Sequence, residues 1–223
     1  MRRFRAVDLP EAGGEVMLDE GASHHLLRVT GIGRGEAVEL FDGSGRRALA
    51  RLDRVEAGRA VLDVEPASAE APRPARWLLV SLVKHDAFDL ILRMATELGA
   101  SHIVHVLAAR SVARGERADR WARILESAAA QCGRADLPEL CAPLGFEAAL
   151  ARPPAGVERR IYLPNAPMLA AAAGPVALLL GPEGGLTPEE VQAALAAGYE
   201  AEGLGPSVLR ADTAVAAALA RHL

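Results

Sequence analysis

Two glycine-rich turns within thirty-five residues of one another constrain this chain more than any other feature: 180-LGPEGGLTPEE-190 and 203-GLGPSVLRADTA-214. The apolar run Val176–Leu180 precedes the first. It is too short to cross a membrane and is bounded by turn residues, so it reads as a buried strand. Gly181, Gly184 and Gly185 then give a backbone that turns tightly and admits a ligand closely. A helix follows at once, with Thr187 as N-cap, Pro188 in the first helical position, Glu190 completing a capping box and Gly198 placed to end it. The second turn repeats the logic: Leu204-Gly205-Pro206 breaks a short strand, and Asp212 or Thr213 is positioned to cap a last helix running to about Arg221. Two such corners close together make a pocket.

Each turn alone also suits an ordinary connection in an α/β domain. Neither fits a phosphate loop, since no G-x-x-x-x-G-K-[ST] and no helix-opening G-x-G-x-x-G occurs, and Pro182 removes a backbone donor that a phosphate cradle would use. Glycine backbone and leucine side chains suit a flat, largely uncharged group such as adenine.

Upstream, the chain changes character. Residues 15–18, Ala37–Phe41, 47–52 and Arg59–Val64 read as short strands, separated by the hairpin signals Asp42-Gly43-Ser44-Gly45 and Glu56-Ala57-Gly58, with a helical stretch near residues 23–29. Short strands at this spacing suggest a small barrel. The Ala- and Pro-rich stretch that follows lacks periodicity and reads as a linker. Beyond it strands and helices alternate: strand 77–83, helix 87–98, strand His102–Leu107, helix 116–132, then strands 160–163 and Val176–Leu180. Alternation of this kind predicts an α/β domain with a mostly parallel sheet and helices on both faces, whose ligands bind beyond the carboxyl ends of the strands. The expected division is 1–68 for the barrel, 69–76 for the linker and 77–223 for the α/β domain.

Composition adds exclusions. With 51% hydrophobic and 24% charged residues the chain can bury a core, and a net charge of −4 argues against coating nucleic acid non-specifically. The amino-terminal residues have basic character without an apolar core after them, so no signal peptide is expected, nor any membrane partner. Cys132 and Cys141 lack metal-ligand spacing; no metal is expected, and inert thiols in a cytoplasmic setting are the default.

The paired turns resemble the signature of the SPOUT methyltransferases, and within them the RsmE-type family, which methylates N3 of a uridine in 16S ribosomal RNA. That family reads approximately G-P-E-G-G-[FL]-[ST]-x-x-E and then L-G-x-R-I-L-R-x-E-T-A. The first half matches fully; the second departs at Ser207, where the family usually has Arg, at Val208 for Ile and at Asp212 for Glu. Further upstream, Lys84 and Glu97 match the family's K-x-x-x-x-[DE] and ATELG segments, Arg110 its [SE]-x-R-S, and Gln131, Arg134 and Pro138 its E-Q-[SC]-x-R-x-x-x-P. Lys84 is the only lysine among 25 Lys and Arg residues.

What the resemblance implies is specific. The amino-terminal region is expected to be a PUA-like barrel, and the C-terminal segment to thread a trefoil knot. The cofactor is S-adenosylmethionine, held by Leu163, Leu180, Gly181, Pro182, Glu183 and Gly184, and by Leu204, Gly205, Pro206, Ser207, Val208, Leu209 and Thr213. Arg210 would stabilise anionic charge on uracil or hold a phosphate, with Glu183 or Asp212 as the base. Arg2, Arg3, Arg28, Lys84, Arg110, Gln131 and Arg134 would contact RNA, in 16S ribosomal RNA or the small ribosomal subunit. A homodimer is expected. The alternatives are a SPOUT methyltransferase acting on transfer RNA, which the ATELG and Q-x-x-R segments disfavour, and a non-catalytic RNA-binding protein, which would have no need of both turns.

Overall fold

The computed structural model describes residues 1–81, 85–111 and 117–223, and the chain divides into two compact units. The first comprises Met1–Pro72 and Glu126–Leu137. Its strands are β1 (Arg3–Arg5), β2 (Gly14–Met17), β3 (Ala37–Phe41), β4 (Arg46–Glu56), β5 (Arg59–Val64) and β6 (Ser68–Ala69), and helix α1 (Glu20–His24) runs on into a single π-helical stretch, His25–Val29. The strands form one sheet in the order β1-β3-β4-β5-β2, with β6 added to β4.

The hairpin signals fold as their sequence dictates. Ala57 and Gly58 both take positive φ, 49° and 82°, which is the two-residue turn whose twist matches the flanking strands. Asp42 accepts the N–H groups of Ser44 (2.7 Å) and Arg46 (3.0 Å), fixing the β3–β4 connection. Alternate residues of β3 to β5, among them Val38, Leu40, Ala50, Leu52 and Leu62, point with Phe4 and Leu26 into one apolar core. β1 is not predicted, because three residues carry no periodicity; it is held by parallel pairing to β3. β6 lies partly within the predicted linker.

The second unit comprises Arg73–Leu125 and Pro138–Leu223. Its sheet runs β12-β10-β11-β7-β8-β9, all parallel, with β7 (Arg76–Ser81), β8 (His102–Leu107), β9 (Glu139–Gly145), β10 (Glu158–Tyr162), β11 (Val176–Leu180) and β12 (Glu200–Glu202). Every residue of β11 is buried, because both faces of the sheet are covered. Val176, Leu178 and Leu180 face one core with α2 (His85–Glu97), the start of α3 (Ala118–Cys132) and α6 (Ala211–Ala220). Ala177 and Leu179 face the other, with α4 (Phe146–Leu150) and α5 (Pro188–Ala196). β12 is the short strand expected before Leu204, whereas strand β9 and helix α4 carry no sequence signal: β9 contains Pro143 and Gly145, and α4 is too short to set a period. Among the described residues no helix is long and apolar enough to cross a membrane.

Candidate active site

Both glycine corners lie in the second unit, beyond the carboxyl ends of β11 and β12, and they enclose one cavity of about 610 Å³. At the first corner Gly181 must lack a side chain, since a Cβ there would meet Leu186 Cγ at 2.9 Å and the Leu186 backbone nitrogen at 3.3 Å. The turn closes when the Gly185 N–H donates to Pro182 O at 2.8 Å, with Gly185 at φ 71°. The predicted capping box is present: Thr187 Oγ1 accepts the Glu190 N–H (3.2 Å) and Glu190 Oε2 accepts the Thr187 N–H (2.8 Å). The remaining oxygen, Glu190 Oε1, accepts the Ala109 N–H at 2.7 Å, and next to it Arg110 donates to Gly184 O at 2.9 Å.

The second corner is held differently. β12 runs beside residues 163–167, with Leu163 N–H on Glu202 O (3.0 Å) and Gly203 N–H on Pro167 O (2.9 Å). The two backbones approach so closely that a Cβ on Gly203 would lie 2.1 Å from Ala166 O. Helix α6 then begins at Ala211, and its N-cap residue is Arg210, whose side chain makes no capping bond. The expected cap at Asp212 or Thr213 is therefore displaced by two or three residues into the first turn, where Asp212 accepts the Thr213 N–H (2.8 Å). Asp212 also lies 3.7 Å from Arg210 Nε.

Anchorage of α6 comes from its far end. Arg221 donates to the fully buried Glu202 (3.0 Å) and to Leu169 O (2.5 Å). His222 Nδ1 accepts the Ala172 N–H (3.0 Å), so its neutral ring carries the proton on Nε2, 3.2 Å from Tyr162 Oη. Burial holds His222 below its ordinary pKa of 6.5, partly offset by the Glu202 charge. Tyr162 lines the cavity, and burial, reinforced by the Glu202 carboxylate, pushes its phenol above the ordinary tyrosine range. Tyr162 thus stays protonated at neutral pH and forms part of the cavity wall.

Of the predicted cofactor residues, Leu163, Leu180, Gly181, Pro182, Glu183, Gly184, Leu204, Ser207, Val208 and Leu209 line the cavity. Gly205, Pro206 and Thr213 do not; Gly205, at φ 112°, and Pro206 shape the turn instead. Arg210 and Glu183 are the two charged side chains on its wall among the described residues, while Asp212 stands outside it. Tyr162, Pro164, Gly185, Leu186, Ala211 and Ala214 also contribute. Gly185 and Leu186 sit within the motif already singled out, and Ala211 and Ala214 share one helix face at a spacing of three; nothing in the sequence marked Tyr162.

The predicted RNA contacts are dispersed. Arg110 is at the cavity through Gly184. In the first unit Arg28 is exposed, with no hydrogen bond or ion pair to any described residue. Arg2 is exposed and bonded to Thr30 O, Arg3 is held by Glu39 (2.7 Å) and Ala130 O (3.3 Å), and Gln131 is exposed on α3. Arg134 is 4% exposed and its guanidinium grips Asp136 with two bonds (3.1 and 2.5 Å). Lys84 lies outside the described residues, as do Arg114 and the side chain of Asp86.

A family model for an RNA methyltransferase domain matches residues 70–223. The ribosomal RNA small subunit methyltransferase E of Mycobacterium tuberculosis is 35% identical over 97% of this chain and 88% of its own length. This chain belongs to the ribosomal RNA small subunit methyltransferase E family. A Synechocystis member is 34% identical over 98% of this chain and 76% of its own. The crystal structure of a Neisseria gonorrhoeae family member bound to S-adenosyl methionine superposes with a TM-score of 0.92, at 32% identity over 99% of this chain and 95% of that one. Within the family frame, the two corners that define the cavity are also the two stretches whose sequence resembles the signature.

Proposed function

We propose that the protein methylates N3 of a uridine in 16S ribosomal RNA, with S-adenosylmethionine as methyl donor held between the two glycine corners. The observation that carries this reading is the cavity itself: about 610 Å³, walled by leucines and glycine backbone, with one cation and one carboxylate facing it. That volume falls within the range of about 300–1,000 Å³ usual for small-molecule sites. The donor set fits the cofactor. Leu163, Leu180, Leu186, Leu204 and Leu209 offer apolar surface to adenine, and the backbone groups of residues 180–184, Leu204 and 207–209 offer hydrogen bonds to its polar edge.

Bound there, the cofactor supplies a methyl group already activated as a sulfonium substituent. The protein's own task is alignment and charge. N3 of free uridine loses its proton only at about pH 9 to 10, in the range of a tyrosine hydroxyl, so the enzyme must assist deprotonation. Arg210, with a side chain 80% exposed at the cavity wall, is placed to receive the anionic charge that develops on the uracil oxygens. Glu183 is the carboxylate that lines the wall and takes the role of base; Asp212 serves to orient Arg210. N3 lies on the Watson–Crick edge, so the target uridine must be unpaired or flipped out.

The finer features belong to the same reading. The close passage of Gly203 against Ala166, followed by α6 packed on α2 and β11, supports a threaded trefoil knot. The strand order of the first unit and the apolar core inside its sheet support a PUA-like barrel, with Arg28 offered to RNA phosphates. A homodimer belongs to the same reading and rests on the family resemblance. The setting is cytoplasmic. Arg210→Ala should lower the rate of methyl transfer to small-subunit RNA by about 10²–10³-fold while S-adenosylmethionine still binds in a calorimeter; an unchanged rate would remove Arg210 from the chemistry.

A further inference from the structure

Glu190 completes the capping box of α5, yet its carboxylate does more than a cap requires. One oxygen is committed to the Thr187 N–H (2.8 Å), within its own helix start. The other accepts the Ala109 N–H (2.7 Å), eighty-one residues away, in the loop after β8. That loop is a tight turn in its own right. Ser111 N–H donates to Ala108 O (3.0 Å), and Ser111 Oγ accepts the Ala108 N–H (3.1 Å). The residue immediately after the clamped amide is Arg110, which reaches across to Gly184 O (2.9 Å) on the cavity wall. Arg110 packs directly over this glycine: a Cβ on Gly184 would sit at ordinary contact distance, 3.4 Å, from Arg110 Cβ.

We infer that Glu190 is a positioning residue that sets Arg110 at the mouth of the cavity, by holding the β8 loop and the first glycine corner on the two oxygens of one carboxylate. Arg110 is exposed, and its guanidinium has donors left over after Gly184 O. Those donors suit a phosphate of the RNA backbone, with Glu189 the carboxylate close enough to feel the same guanidinium. A long arginine on a free loop would lose much of its worth to rotamer entropy; fixing the backbone at Ala109 reduces that loss. The inference rests on the methyltransferase reading for its substrate, but the clamp itself does not.

Three variants separate the possibilities. Glu190→Ala removes both acceptor oxygens. Ala109→Pro deletes the donor and leaves the helix cap whole, and proline suits the second position of a turn closed by residues 108 and 111. Thr187→Ala weakens the cap and leaves the Ala109 bond. With saturating cofactor and small-subunit RNA as substrate, Glu190→Ala and Ala109→Pro should each raise KM for RNA about tenfold, and leave cofactor affinity within about twofold. Thr187→Ala should leave KM for RNA unchanged. Combining Glu190→Ala with Arg110→Ala should cost no more than Arg110→Ala alone, because the first acts through the second. Multiplied effects, a silent Ala109→Pro, or a Thr187→Ala that mimics Glu190→Ala would each overturn the inference. If the parent protein transfers no methyl to small-subunit RNA, the function reading fails on its own. The clamp is then judged by amide exchange at Ala109, slow in the parent and fast in Glu190→Ala; equal rates would overturn it.

Discussion

The two glycine corners face one cavity, but they are built on opposite principles. In the first, the bonds that shape the turn are local, Gly185 to Pro182 and Thr187 to Glu190 and back, and the distant bonds from Ala109 and Arg110 are added to a turn that is already closed. In the second, the N-cap residue of α6 makes no side-chain bond, and order comes from contacts distant in sequence: Gly203 against Ala166, Arg221 on Glu202, His222 on Ala172 and Tyr162. A corner made of local bonds tolerates the loss of any one of them. A corner made of long-range contacts has no such reserve, because each contact holds a different piece of backbone.

The sharpest way to break this contrast is Gly203→Ala. The added Cβ would collide with Ala166 O, so one of two backbones must move. The expected loss is about 3 kcal/mol or more in urea unfolding, with cofactor binding lost as well. A variant of unchanged midpoint would mean that the close passage is not constraining.

Next in size is His222→Leu, which leaves the Ala172 N–H and the Tyr162 hydroxyl without their partner. A cost of about 2 kcal/mol is expected, together with weaker cofactor affinity, since Tyr162 lines the cavity. The same residue gives a pH signature. Its pKa is depressed in the fold, so its contribution is complete above the ordinary 6.5 and is lost as the pH falls through the lower folded value. Protonation of Nδ1 would set an N–H against the Ala172 N–H. Cofactor affinity measured between neutral and mildly acid pH should therefore weaken in the parent and change less in His222→Leu; identical profiles would uncouple this end of α6 from the cavity.

The smallest effect belongs to the local corner. Thr187→Ala should cost about 1 kcal/mol, the ordinary price of a lost N-cap, read as a shift in the unfolding midpoint with cofactor affinity preserved. Should it cost as much as Gly203→Ala, the distinction between the corners would collapse.

The same distinction governs what the sequence disclosed. Thr187, Pro188 and Glu190 announce their helix because the partners that cap it lie within four residues, and β11 is readable from an unbroken apolar run. The hairpin at Ala57-Gly58 is legible for the same reason. Asp212 misled because a carboxylate in the first turn of a helix resembles a cap; what fixes the start of α6 lies at its other end. Tyr162 could not be found, since its place in the cavity wall depends on His222, sixty residues on. Arg134 shows the reverse error of emphasis. A charged side chain in a recognisable segment suggests a ligand, yet this one is buried on Asp136.

The anchorage of α6 also bears on when the protein acquires its function. Ala211 and Ala214 form part of the cavity wall, and Arg221 and His222 hold the segment that carries Tyr162. A nascent chain that has not yet released residue 222 from the ribosome therefore has the first corner and no closed site. On the proposed reading, cofactor capture then follows the docking of α6 rather than the folding of the first corner.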